Sequence, residues 1–169
     1  METKICGKTW LFGDNVDTDN IIPGHFTLGM DFDEMSKHAF ADLRPEFGKQ
    51  RRDGEIVVAG KNFGCGSSRQ VAPLVIKNRG ISCIIAESFA RIFLRNSINM
   101  GFPVIELPNA SKLISEGDIL DVKLQEGKII NQTKKQAYDI QKLPEFMERL
   151  LNDGGLNNYI RRRLKEEAQ

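Results

Sequence analysis

The sequence predicts a mixed α/β fold, with a partly parallel sheet, flanking helices and an added β-hairpin. Three observations carry that expectation. Glu55–Ala59, Ile81–Ala86 and Pro103–Leu107 are short apolar runs with the length and composition of buried strands. Gln70–Asn78 and Ser88–Met100 lie between them and read as helices, so strand and helix alternate with short links, the pattern of right-handed crossovers in a parallel sheet. Further on, Ile119–Leu124 and Lys128–Thr133 flank Glu126-Gly127, which signals a hairpin.

Taken in order, Lys4–Phe12 contains an apolar stretch that reads as a strand. Gly13–Gly24 is a loop by composition, rich in Asp and Asn and closed by Pro23-Gly24. Asp33–Phe40 reads as a short helix. Arg44–Gly54 is a polar excursion carrying Pro45, Gly48 and Gly54; with Pro23–Asp31 it is expected to be the least ordered part of the chain. For the helix over Gln70–Asn78, Ser68 is the candidate N-cap, Pro73 falls near the first turn, and Gly80 lies just past the end. For Ser88–Met100, Ser88 is the candidate cap and Gly101 the stop. Pro144 opens a helix over Pro144–Leu151, in which Leu143, Phe146, Met147, Leu150 and Leu151 keep helical spacing. Leu156, Tyr159, Ile160 and Leu164 repeat that spacing after Gly154-Gly155, and both stripes are expected to pack into the core. The 169 residues suffice for one domain spanning 1–169, ending in a helical segment over about 144–168.

Composition narrows the function. A net charge of +1 leaves no electrostatic footprint for nucleic acid, and Arg161–Arg163 reads as a solvated face or a subunit contact. Cys6, Cys65 and Cys83 are odd in number and widely spaced, which argues against a disulfide scaffold and fits a reducing cytoplasm. With no Cys-x-x-Cys pair and only His25 and His38 as histidines, a zinc site or cluster held wholly by this chain is not expected. No N-terminal apolar segment has the form of a signal peptide, and no run approaches membrane-spanning length.

Asn62–Arg69, Asn-Phe-Gly-Cys-Gly-Ser-Ser-Arg, is the stretch richest in chemistry. Gly64 and Gly66 permit a sharp turn and close approach of a ligand. A helix starting near Ser67 or Ser68 would aim free N–H groups into that turn, and Arg69 adds a planar fork for a carboxylate or phosphate. The spacing is neither that of a Walker loop nor that of a Gly-x-Ser-x-Gly elbow. Cys65 is an alternative nucleophile, but no histidine lies near it in sequence. Asp14–Pro23 holds Asp14, Asp17 and Asp19 without the Gly and Glu of a calcium loop, and by itself reads as a self-capping Asx-turn loop.

The two stretches together resemble the small subunit of 3-isopropylmalate dehydratase and, more broadly, the swivel domain of the aconitase superfamily. The residues that carry the resemblance are Gly-Asp-x-Val-x-Thr-Asp-x-Ile-Ile-Pro-Gly, then Asn-Phe-Gly-Cys-Gly-Ser-Ser-Arg, then Ser-Phe-Ala-Arg-Ile over Ser88–Ile92, continued by Asn96 and Gly101–Pro103. The resemblance implies an aconitase-type swivel domain that works with a separate large subunit, in a heterodimer or heterotetramer. That partner would hold a four-iron four-sulfur cluster, and this chain would carry no cofactor. It also implies roles: Ser67 as the base that takes a proton beside a carboxylate, Ser68 and Arg69 as holders of substrate carboxylate, and Asp19 as part of the active-site surround. Leu28 stands where relatives acting on tricarboxylic substrates often carry an arginine, which suits an alkyl substituent. The implied activity is the interconversion of 2- and 3-isopropylmalate by dehydration and rehydration, in leucine biosynthesis. Dimethylmalate, citramalate, maleate-type substrates and homoaconitate are the alternatives. A non-catalytic RNA-binding module is disfavoured by the small net charge and the intact Gly66–Arg69 phrase.

Overall fold

The computed structural model describes residues 4–169. Its strands are β1 (Ile5–Leu11), β2 (Ile56–Ala59), β3 (Cys83–Ala86), β4 (Val104–Glu106), β5 (Ile119–Lys123), β6 (Lys128–Asn131) and β7 (Gln136–Asp139). Its helices are α1 (Thr18–Ile21), α2 (Phe32–Ser36), α3 (Val71–Asn78), α4 (Arg91–Asn99), α5 (Ala110–Leu113), α6 (Glu145–Asn152) and α7 (Leu156–Glu167), with a 3-10 turn over Gly24–Thr27. The strands form one seven-stranded sheet in the order β4-β3-β2-β1-β5-β6-β7.

The sheet changes character at β1. The Thr9–Leu11 end of β1 pairs in parallel with β2, and its Ile5–Lys8 end pairs antiparallel with β5. β2, β3 and β4 continue in parallel, whereas β5, β6 and β7 form an antiparallel meander. Every residue of β2 and β3 is buried, as expected of a parallel strand covered on both faces. Side chains alternate between two cores. Val57, Ala59, Ile84, Ala86 and Val104 face α3 and α4, with Phe12, Phe40, Phe47 and Phe63. Ile56, Val58, Cys83, Ile85 and Ile105 face α5 and the β5–β6 hairpin. β5 alternates buried with more exposed positions, having only one covered face.

Several local expectations are corrected. α3 begins at Val71, and its N-cap Gln70 makes no side-chain cap bond, so Ser68 is not a cap. α4 begins at Arg91 after Ala90, and the Ser88 hydroxyl instead accepts the Asn62 N–H at 2.8 Å. The Gly13–Gly24 loop contains one helical turn, α1, closed by a capping box between Asp17 and Asn20. The helix expected over Asp33–Phe40 is the shorter α2, capped by Asp31, which accepts from the N–H groups of Asp33 and Glu34. The expected hairpin has a third strand, β7, whose polar composition hides it from a search for apolar runs. α7 has no buried residue, against the expected core stripe. Its Tyr159 meets Phe146 of α6 edge-on at 5.6 Å, while Ile160 and Leu164 remain exposed. Helical spacing identifies an apolar stripe but not what covers it.

Arg44–Gly54 lacks regular structure but is anchored. Phe47 is fully buried and packs edge-on against Trp10 at 5.1 Å. The guanidinium groups of Arg44 and Arg52 lie 4.6 and 4.7 Å from the Trp10 ring centroid. A hydrogen bond from Arg44 to Glu116 raises the arginine's pKa further and lowers that of Glu116, tying the excursion to the segment before β5.

Candidate active site

β1 and β2 end side by side, and their following loops stay joined. The N–H of Phe12 donates to Val58, Gly60 to Gly13, Asn15 to Lys61, Gly64 to Val16 and Thr18 to Cys65, at 2.7–3.1 Å. Asp14 accepts the Lys61 N–H at 2.7 Å and Asn62 reaches Asn15 at 3.2 Å. The loop after β3 completes the assembly: Phe63 donates to the Ser88 carbonyl and Ala90 to the Phe63 carbonyl. The two motif loops and the Ser88–Ala90 segment thus converge at the C-terminal ends of the parallel strands, where open α/β sheets bind ligands.

Two glycines are required there. Gly64 has φ +79°, and a Cβ would stand 2.2 Å from the Phe93 ring. Gly66 has φ +99°, and a Cβ would come within 3.2 Å of Thr18 Oγ1. The chain then emerges into solvent, with Gly66, Ser67 and Ser68 exposed. Ser67 Oγ lies 3.1 Å from Thr18 Oγ1, and the Ser67 N–H donates to the same hydroxyl at 3.2 Å. The Arg69 N–H folds back onto the Ser67 carbonyl at 2.9 Å. The Arg69 side chain is half-buried; its Nη1 pairs with Asp19 Oδ1 at 2.7 Å and donates to the Ile22 carbonyl at 3.3 Å. The guanidinium lies over Gly24, where a Cβ would stand 3.2 Å from Nη2.

Ser67, Ser68, Arg69 and Asp19 therefore occupy one small surface, built from loops widely separated in sequence. α3 starts beyond Arg69, so its N-terminus does not open at Ser67 as the sequence reading expected. Leu28 follows the 3-10 turn that begins at Gly24, next to Arg69, and is 77% exposed. Met30, Phe32 and Ile92 are also exposed. Sequence reasoning did not single out Thr18 or the Ile22 carbonyl; the Thr-Asp step beside a Gly-Ser turn was the available signal. A cavity of about 740 Å³ lies elsewhere, at the N-terminal ends of β3 and β4, lined in part by Lys77, Ile81, Phe102 and Lys123. It includes no residue of the motif loops, and three of its four cations are already engaged: Lys77 on the Met100 carbonyl, Arg51 on Asp53 and Lys123 near Glu126. The exposed polar turn is the better candidate site.

Residues 29–110 match the aconitase C-terminal domain family. The chain is 48% identical over 166 residues to an isopropylmalate/citramalate isomerase small subunit of Methanocaldococcus jannaschii, covering 98% of this chain and 99% of the relative. It is 49% identical over 160 residues to a 3-isopropylmalate dehydratase small subunit of Clostridium beijerinckii, covering 95% and 99%. The chain belongs to the 3-isopropylmalate dehydratase small-subunit family. A crystal structure of a 3-isopropylmalate dehydratase from Methanocaldococcus jannaschii superimposes with a TM-score of 0.92 at 38% identity, covering 98% of both chains.

In this small-subunit family of hydro-lyases, the described residues of the chain do not fit an iron–sulfur cluster. Among the described residues no group of three or more His, Cys, Asp or Glu side chains is placed to hold a metal ion. Cys83 is fully buried in β3, where burial pushes its thiol pKa up, while Cys6 is exposed on β1 and Cys65 lies in the motif loop. No helix is long and apolar enough to cross a membrane among the described residues.

Proposed function

We propose that this chain is the small subunit of a hydro-lyase that interconverts 2-isopropylmalate and 3-isopropylmalate in leucine biosynthesis. The observation that carries the reading is an exposed Ser67 and a half-buried Arg69 on one turn, both locked to Thr18–Ile22: Ser67 to the Thr18 hydroxyl, Arg69 to Asp19 and the Ile22 carbonyl. Arg69 and Ser68 hold a substrate carboxylate. Ser67 Oγ, as the alkoxide left once its own proton has gone to solvent, takes the proton from the carbon bearing that carboxylate, the electron pair forms the double bond, and the hydroxyl leaves from the neighbouring carbon as hydroxide. Rehydration with the carbons exchanged returns the proton from Ser67. A serine serves as base only if its anion is stabilised, which the packed polar turn favours. Asp19 orients Arg69, and Leu28 contacts the alkyl substituent.

The remaining half of the site belongs to a cluster-bearing large subunit. The exposure of Ser67, Ser68 and Leu28 leaves room for such a partner to close over them. Citramalate is a second reading, favoured by the name of the Methanocaldococcus jannaschii relative. The test is reconstitution with the candidate large subunit and comparison of kcat/KM on isopropylmalate, citramalate, dimethylmalate and homoaconitate. A preference for isopropylmalate supports the proposal; a preference for homoaconitate overturns it. Ser67→Ala should lower kcat by about 10²–10⁴-fold, the usual effect of losing a positioned proton-transfer group, with the complex still assembled.

A further inference from the structure

We infer that Thr18 is a positioning residue for the base: its hydroxyl donates the hydrogen bond that stabilises the Ser67 alkoxide. This rests on the reading of Ser67 as base and adds a residue to it. Thr18 is 2% exposed, so water does not compete for its hydroxyl. Its backbone is held at both ends, the N–H donating to Cys65 at 2.8 Å and the carbonyl accepting from Ile22 at 3.0 Å. A β-branched side chain on a fixed backbone has little freedom at χ1.

A hydroxyl has one proton and two lone pairs. The Ser67 N–H, at 3.2 Å, occupies one lone pair of Thr18 Oγ1. Among the described residues the only other hydrogen-bond partner of the Thr18 hydroxyl is Ser67 Oγ, at 3.1 Å. While Ser67 is neutral, either hydroxyl can donate. Once Ser67, which is exposed, has given its proton to solvent, only Thr18 can. The contact then becomes an O–H···O⁻ bond, which is shorter and roughly twice as strong as a neutral one. The bond therefore raises the fraction of Ser67 held as the alkoxide, the form that takes the substrate proton, and it is in place before the reaction begins. No proton leaves Thr18: the substrate proton travels to Ser67 Oγ and back, and Thr18 keeps its own throughout. Gly66 maintains the approach, since its φ of +99° brings Ser67 down onto Thr18 and leaves 3.2 Å for any Cβ.

The experiment uses the reconstituted two-subunit enzyme with Thr18→Ser, Thr18→Ala, Thr18→Val, Ser67→Ala and the Thr18→Ala/Ser67→Ala double variant. Serine and alanine both lack the threonine methyl and differ from each other only by the hydroxyl, so their comparison isolates the bond even if valine perturbs folding. Thr18→Ala should lower kcat by roughly 10²-fold, as removal of one oxyanion donor does, with KM little changed. Thr18→Ser should recover most of that loss. The rise of kcat with pH should move to higher pH in Thr18→Ala, because the alkoxide forms less readily. In the Ser67→Ala background, Thr18→Ala should cost almost nothing more. Equal kcat for the serine and alanine variants, or full additivity with Ser67→Ala, overturns the inference. Wild-type turnover by Ser67→Ala alone would instead remove the reading of Ser67 as base, a separate failure.

Discussion

Arg69 Nη1 lies 2.7 Å from Asp19 Oδ1, and the same nitrogen donates to the Ile22 carbonyl. Both contacts fall on one corner of the guanidinium, and among the described residues no acceptor bonds Nη2 or Nε. Under the proposed function these two nitrogens are the fork for the substrate carboxylate, and Asp19 aims it. The Asp19 side chain is 67% exposed, so the pair adds little to stability. Asp19→Asn is expected to leave the thermal midpoint nearly unchanged while raising KM. Arg69→Lys is expected to lower kcat/KM by about 10–100-fold, because an ammonium cannot hold Asp19, Ile22 and a bidentate substrate at once. Steady-state kinetics beside thermal melts check both, and normal kinetics for Arg69→Lys would exclude a bidentate contact.

The two site glycines should separate stability from activity. Alanine at Gly64 must accept φ +79° and displace Phe93, which is nearly fully buried. Gly64→Ala should cost roughly 2–4 kcal/mol from strain and overpacking together. Alanine at Gly66 meets only φ +99° and a 3.2 Å approach to Thr18 Oγ1. It should cost about 1–3 kcal/mol in strain, but should lower kcat more than Gly64→Ala does in the fraction that remains folded. Urea unfolding and activity corrected for folded fraction distinguish them.

Asp118 gives the meander a pH dependence. Burial works against its charge, but the Ser115 N–H at 2.9 Å, the Asn131 amide at 2.7 Å and Lys134 outweigh that and lower its pKa below the ordinary 3.8. With the folded value below the unfolded one, the stabilisation is complete above the ordinary carboxylate range and is lost as pH falls through the folded value. Asp118→Ala should destabilise by about 2–3 kcal/mol at neutral pH, since it strands the buried Asn131 amide. The difference from wild type should shrink in urea melts at increasingly acid pH; a constant difference would show that the charge is not involved.

Phe47 decides whether Arg44–Gly54 moves. Phe47→Ala should cost about 3–5 kcal/mol and raise hydrogen exchange across that excursion. In the intact free chain, Arg44–Gly54 should exchange more slowly than Pro23–Asp31, whose Leu28 and Met30 are exposed. The reverse order of protection would contradict the anchoring role of Phe47.

Leu28 tests substrate choice. Leucine against an alkyl group gains roughly 0.8 kcal/mol per buried methylene, whereas arginine would strand a charge there but pair with a carboxylate. Leu28→Arg should lower the ratio of kcat/KM for isopropylmalate over homoaconitate. An unchanged ratio with both activities intact would take Leu28 out of the pocket.

The strand–helix alternation of β2, α3, β3, α4 and β4 was legible in the sequence, because fully buried parallel strands are continuous apolar runs and short helices carry their period locally. The motif loops were legible for a similar reason: glycines at φ +79° and +99° and the hydroxyls beside them are chemically specific. Tertiary structure decided how those groups were spent. Ser68 and Ser88 carry the chemistry of helix caps, yet Ser88 serves Asn62 and Ser68 caps nothing. β1 became the seam of the sheet by pairing one half to β2 and the other to β5. Arg44–Gly54 looked loose until Phe47 was placed against Trp10. Thr18 met Ser67, and Asp19 met Arg69, only when two distant loops were zipped together. A local pattern states which groups need partners; which partner each one finds depends on contacts between distant segments, and the packed sheet chose them.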